Sequence, residues 1–132
     1  MFETFGPEGL QKSCGHAEIE LGLMEFARST ANNKYRDQAQ PFIERHGHRT
    51  LPDIELGRVY GQDDTPVRER TVLVGHAVRA LYHAASSVDL AADTKDTELL
   101  AAVERQWENS VAARTYSTGP MGSHHTREPF WR

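Results

Sequence analysis

The chain has 132 residues, 38% of them hydrophobic and 26% charged, with a formal net charge of −4. That is one globular domain's length and composition, and so small and scattered a charge excludes a nucleic-acid surface. No apolar run approaches the roughly 20 residues that span a bilayer, which excludes a membrane-spanning helix. The opening stretch MFETFGPEGL has neither a basic nor an apolar signal segment, and a single cysteine, Cys14, cannot form an internal disulfide. Both observations lead to the expectation of a reducing, cytoplasmic setting.

Residues 1–14 read as loop, with Gly6-Pro7 and Gly9. A first helix is predicted from His16 to Ala31, where Ile19, Leu23, Met24, Phe26 and Ala27 recur at three- and four-residue steps. Asn32-Asn33 ends it. A second is predicted from Lys34 to His46, with Tyr35, Ala39, Phe42 and Ile43 as its stripe and Gly47 as its stop. Pro41 inside it removes a backbone bond at a cost of roughly 3 kcal/mol, which predicts a kink or a break. Residues 47–66 form a polar connection long enough to be functional or disordered.

The third helix is predicted to begin at Val67 or Glu69 and run to Ala91. Val74, Ala77, Val78, Leu81, Ala85 and Val88 make its apolar stripe, with His76, Arg79 and His83 opposite. A fourth follows the cap-like Asp96 and runs to Ala113, buried through Leu99, Leu100, Val103, Trp107 and Val111. No strand survives scrutiny, since RTVLVGHAV continues the helical spacing. The result is an all-α protein of two antiparallel helical hairpins, each opened by Gly-His, at 15–16 and again at 75–76. Such an internal repeat signals a stacked helical architecture in which both histidines face one opening. Loop-like stretches at both ends lead to the expectation that residues 1–132 are a single domain that is a fragment of a longer one.

Three blocks carry a resemblance: GHAEIELGLMEFARST with KYRDQAQPFIERHG, then YGQDDTPVRERTVLVGHAVRALY, then TGPMGSHHTREPF. In order and spacing they resemble the catalytic domain of glycoside hydrolase family 127, whose characterised members include bacterial β-L-arabinofuranosidases. The resemblance implies an (α/α)6 barrel, or toroid, of which these four helices are part. It implies retaining hydrolysis of an L-arabinofuranosyl or related sugar, with a cysteine nucleophile beside zinc and a glutamate as acid/base. Glu128, at the end of Gly122-Ser123-His124-His125-Thr126-Arg127-Glu128, inherits the acid/base role, and His16 and His76 match histidines that contact the sugar.

The family's zinc ligands, a Glu-x-Cys pair and a later Cys-Cys pair that includes the nucleophile, are not in this sequence, so no cofactor is expected in this chain. Gln62-Asp63-Asp64 stands where the family usually shows Gln-Asp-His, and Gly119-Pro120-Met121-Gly122-Ser123 replaces Gly-Gly-Ile-Gly-Ser.

A retaining carboxyl group gives a proton to the leaving oxygen and then takes one from water. Imidazole donates and accepts in one plane, which suits paired sugar hydroxyls. Glu20, one turn after His16, either orients that ring or forms an ordinary surface pair. Asp63, with Arg68 and Glu69, either balances the start of the third helix or shapes the pocket rim as a substrate-binding residue. His124-His125 with Cys14 and His16 lack the ligand spacing of a zinc site, so no metal is assigned. Trp107 reads as core, and Trp131 either stacks on sugar or lies exposed. The expected partner is a carbohydrate, with self-association through an exposed barrel face; a helical-repeat interaction module without catalysis is the competing class.

Overall fold

The computed structural model describes residues 1–116 together with 118 and 119. Four helices carry the fold: α1 (Glu18–Thr30), α2 (Lys34–Arg45), α3 (Ala77–Thr94) and α4 (Thr97–Arg114), with a short 3-10 turn at Arg58–Gly61. No strand occurs among the described residues, and none of their helices is long and apolar enough to cross a membrane.

Each hairpin turns through a single left-handed residue, Ala31 (φ 51°) and Lys95 (φ 59°). In both, the following N–H reaches back to the helix: Asn32 to Ala27 O at 3.1 Å and Asp96 to Ala91 O at 2.9 Å. Asp96 then caps α4, accepting from Leu99 N at 2.9 Å, as its sequence position predicts. Arg68 clasps the same carboxylate at 2.7 Å and Glu44 of α2 at 2.6 Å. The Arg68 bond and the cap together hold the Asp96 carboxyl down at about 2.

Hairpin α1–α2 lies against hairpin α3–α4 with α1 and α3 side by side and parallel. Arg79 near the start of α3 reaches Gly15 O before α1, and Arg28 at the end of α1 pairs with Asp89 of α3 at 2.8 Å. The core between them is Leu23, Met24, Phe42, Ile43, Leu90, Leu99 and Val103. α2 stays one helix across Pro41, whose neighbours Phe42 and Ile43 are fully buried. Packing thus overrides the break that proline predicts.

The structure departs from three expectations. The third helix starts at Ala77, about ten residues late, because Gly75 (φ 77°) cannot be helical and α4 supplies the missing partners. Gln106 donates to Val67 O at 2.9 Å, Asn109 to Thr71 O at 2.8 Å, and Ser110 Oγ accepts from Leu73 N at 2.9 Å. A segment whose backbone is satisfied by neighbouring side chains gains nothing by coiling. The α3 stripe is also inverted: Val78, Leu81 and Val88 are exposed, while Ala80, His83, Ser86, Ser87, Leu90 and Ala91 are buried. Trp107, expected in the core, is 50% exposed, and its inward neighbours are Gln106 and Ser110.

His83 therefore sits inside the protein, 4% exposed, its ring 4.7 Å from that of His46. Burial first, and the His46 ring second, push its pKa well below the ordinary 6.5. A histidine that stays neutral when folded but protonates when unfolded costs stability as pH falls below the unfolded value. Between about pH 7.5 and about 5.5 the wild type is expected to lose about 1.4 kcal/mol more than a His83→Gln variant. Denaturant melts of both proteins at the two pH values check this; parallel losses would refute it.

Candidate functional site

Both Gly-His dipeptides open helices, and each histidine faces a backbone N–H of its own helix start. His16 Nδ1 accepts from Glu18 N at 3.4 Å and His76 Nδ1 from Arg79 N at 3.5 Å, both long bonds. With Nδ1 accepting, the neutral ring carries its proton on Nε2, a donor on the far side of the imidazole. Each ring rests on a tyrosine: His16 lies 5.9 Å from Tyr82 and His76 meets Tyr60 edge-on at 5.3 Å.

What joins the two corners is Arg79. Its backbone N–H meets His76, its guanidinium donates to Gly15 O at 2.9 Å, and its Cζ lies 5.2 Å over the Tyr60 ring. Gly15 and Arg79 border a cleft of about 290 Å³ together with Lys12, Ser13, Thr50 and Ile54. Neither imidazole lines that cleft; each stands beside a residue that does. The cleft wall has hydroxyls at Ser13 and Thr50, 3.4 Å apart, and cations at Lys12 and Arg79.

Asp63 is buried behind this wall rather than on the rim. Its carboxylate accepts from Thr50 N at 3.2 Å, Leu51 N at 2.9 Å and Arg58 Nη1 at 3.1 Å, which pins the loop 47–66 beside the cleft. Asp64 pairs with Arg70 at 2.7 Å. Burial opposes its charge, but the Arg70 guanidinium outweighs that and holds the carboxyl below the ordinary range. Arg68 is taken up by Glu44 and Asp96 and faces the helix ends.

Glu20 does neither thing expected of it. It is fully buried and bonds His46 Nε2 at 3.2 Å, away from His16. Glu128, like His124, His125 and Trp131, lies outside the described residues.

The sequence places Arg79 on the polar face with His76 but gives it no role, and nothing in the spacing points to Tyr60 or Tyr82. The available signal was the GHAVR pentad, in which Arg79 falls one turn after His76 on the same helical face. Among the described residues no three Cys, His, Asp or Glu side chains converge where a metal ion could be held. Cys14 is exposed and belongs to no such group. The described donors therefore do not fit a zinc ion.

The family model described as "Beta-L-arabinofuranosidase, GH127 catalytic domain" matches residues 1–132. A non-reducing end β-L-arabinofuranosidase of Bifidobacterium longum subsp. longum is 30% identical over 145 residues, covering 96% of this chain and 22% of that protein. The crystal structure of a GH127 β-L-arabinofuranosidase from Geobacillus stearothermophilus T6 superposes with a TM-score of 0.84 at 34% identity, covering 96% of this chain and 22% of that one. Another solved GH127 β-arabinofuranosidase gives 0.84 at 35% identity, over 96% and 19%. The chain thus spans about a fifth of the length of the relatives it matches.

Proposed function

The chain belongs to glycoside hydrolase family 127, the β-L-arabinofuranosidase family, and its four helices are a part of that family's (α/α)6 barrel; from this premise we propose that it forms the sugar-holding sector of a retaining glycosidase acting on terminal L-arabinofuranosyl or related residues. The observation that carries the proposal is the meeting of the two Gly-His corners through Arg79 beside one cleft. Imidazole nitrogens suit sugar hydroxyls, since one ring both donates and accepts, and a tyrosine ring stands against each of His16 and His76. Asp63 supports the site from behind by fixing the loop that forms its far wall.

Glu128 is the group we assign to proton delivery and retrieval at the glycosidic oxygen and the attacking water. Within this chain His16 and His76 bind and orient the sugar, and Glu128 moves the proton. Methyl β-L-arabinofuranoside is expected to shift the His16 and His76 ring signals in NMR spectra, with weak binding of about millimolar Kd. No signal change at saturating sugar would refute the reading. The purified chain is expected to show no turnover of an aryl β-L-arabinofuranoside. Turnover that Glu128→Gln abolishes would overturn this second expectation.

A second reading has one observation behind it, the uncovered Val78, Leu81 and Val88 on α3. It makes the chain a helical interaction module that self-associates through that face. A monomeric mass in size-exclusion light scattering would rule it out.

A further inference from the structure

We infer that Arg79 is a positioning residue: it holds the two Gly-His corners in one register, so that His16 and His76 address the same sugar. The inference rests on the sugar-binding reading of those two histidines.

Three observations converge on Arg79. Its guanidinium spans the space between α3 and the loop before α1 to reach Gly15 O at 2.9 Å, a bond between residues 64 positions apart. Its backbone N–H is the one that His76 faces, and its Cζ covers the Tyr60 ring against which His76 stands. One side chain and its own amide thus touch the neighbour of the first histidine, the second histidine itself, and the aromatic support of the second.

Stability alone gives a poor account of an arginine here. Its Nε is buried with no hydrogen-bond partner among the described residues. A buried unmet donor costs about 1–3 kcal/mol, more when the group is charged. A side chain chosen to hold α3 against α1 would not need that penalty, since Arg28 already ties the other ends of the same helices to Asp89 and Asp93. Among the described residues, Arg79 alone reaches the residue before His16 while its own amide faces His76. The planar guanidinium can lie flat over Tyr60 and still donate sideways to a carbonyl, which an ammonium cannot do.

The test uses the full chain as wild type, Arg79→Ala and Arg79→Lys. Three measurements are made: melting temperature, the ring ¹H–¹³C signals of all histidines, and titration with methyl β-L-arabinofuranoside. Arg79→Ala is expected to move the His16 and His76 ring signals together while those of buried His46 and His83 stay in place. It is expected to weaken sugar binding at least tenfold, with the protein still folding cooperatively. Arg79→Lys should restore part of the Gly15 bond, recovering His16 more than His76 and leaving affinity between the two.

Ring signals of His16 and His76 that stay unchanged in Arg79→Ala would overturn the inference. So would shifts spread equally over His46 and His83, which mark a general loosening. If the wild type binds no sugar, the function proposed above fails, while the ring signals still decide whether Arg79 sets the two corners.

Discussion

Replacing Gly75 with alanine is expected to cost about 3 kcal/mol, whereas the same change at Gly15 should stay within about 0.5 kcal/mol. The two glycines head matching dipeptides, yet they have different duties. Gly75 has φ 77°, where an alanine is penalised by roughly 1–2 kcal/mol for its Cβ alone. An added Cβ would also strike Val59 O and come within 2.7 Å of Gln62 Nε2 and 2.9 Å of Tyr60 O. That crowding is required: His76 N donates to Tyr60 O at 3.2 Å, and Gln62 Nε2 bridges to Val74 O at 2.9 Å. At Gly15 a Cβ meets nothing within 4 Å, and its φ is not positive. Denaturant melts of the two variants check the contrast; equal losses would show that the close approach at Gly75 carries no weight.

Glu20→Ala is expected to lose about 3–5 kcal/mol, the range for breaking a buried polar pair from one side. Glu20 and His46 are 0% and 1% exposed, and the Glu20 Oε1 to His46 Nε2 bond of 3.2 Å is the contact between them. Removing the carboxylate leaves a cavity in α1 and strips His46 of its partner in a dry interior. The pair is nonetheless poorly satisfied, since Glu20 Oε2 and His46 Nδ1 find no further partner among the described residues. Glu20→Met with His46→Leu together should therefore cost far less than Glu20→Ala alone, and nothing at all if the apolar pair packs well. Urea denaturation of the wild type, Glu20→Ala and the double variant decides. A double variant that loses as much as Glu20→Ala would mean that the pair contributes net stability.

The helices that were legible in the sequence are those whose ends carry chemistry of their own. Asp96 announced α4 because a carboxylate before Thr-Glu-Leu has an amide to accept from, and the structure supplies that bond. The hairpin order followed from short connections, and the two Gly-His corners from repetition. The start of α3 was illegible because it depends on Gln106, Asn109 and Ser110, which lie some 35–40 positions later and satisfy a backbone that helical spacing alone would coil. The facing of α3 failed for a related reason. Its buried side carries His83, Ser86 and Ser87, whose polar atoms bond Ile43 O or the helix's own His83 O, so hydropathy pointed the wrong way. Within the site, histidines were found by pattern, but Arg79 owes its importance to Gly15, on the far side of a long loop.

The parallel course of α1 and α3 has an electrostatic consequence. Each helix start carries about half a positive elementary charge from aligned peptide dipoles. Because Arg79 ties the start of α3 to Gly15, three residues before α1, these two partial charges and a full guanidinium charge gather along one edge. Hydroxyl oxygens arriving there meet a field that favours their lone pairs, and any acid placed on the same edge is made a readier proton donor. In this fold the backbone itself, through its direction, polarises the end of the protein where the histidines stand.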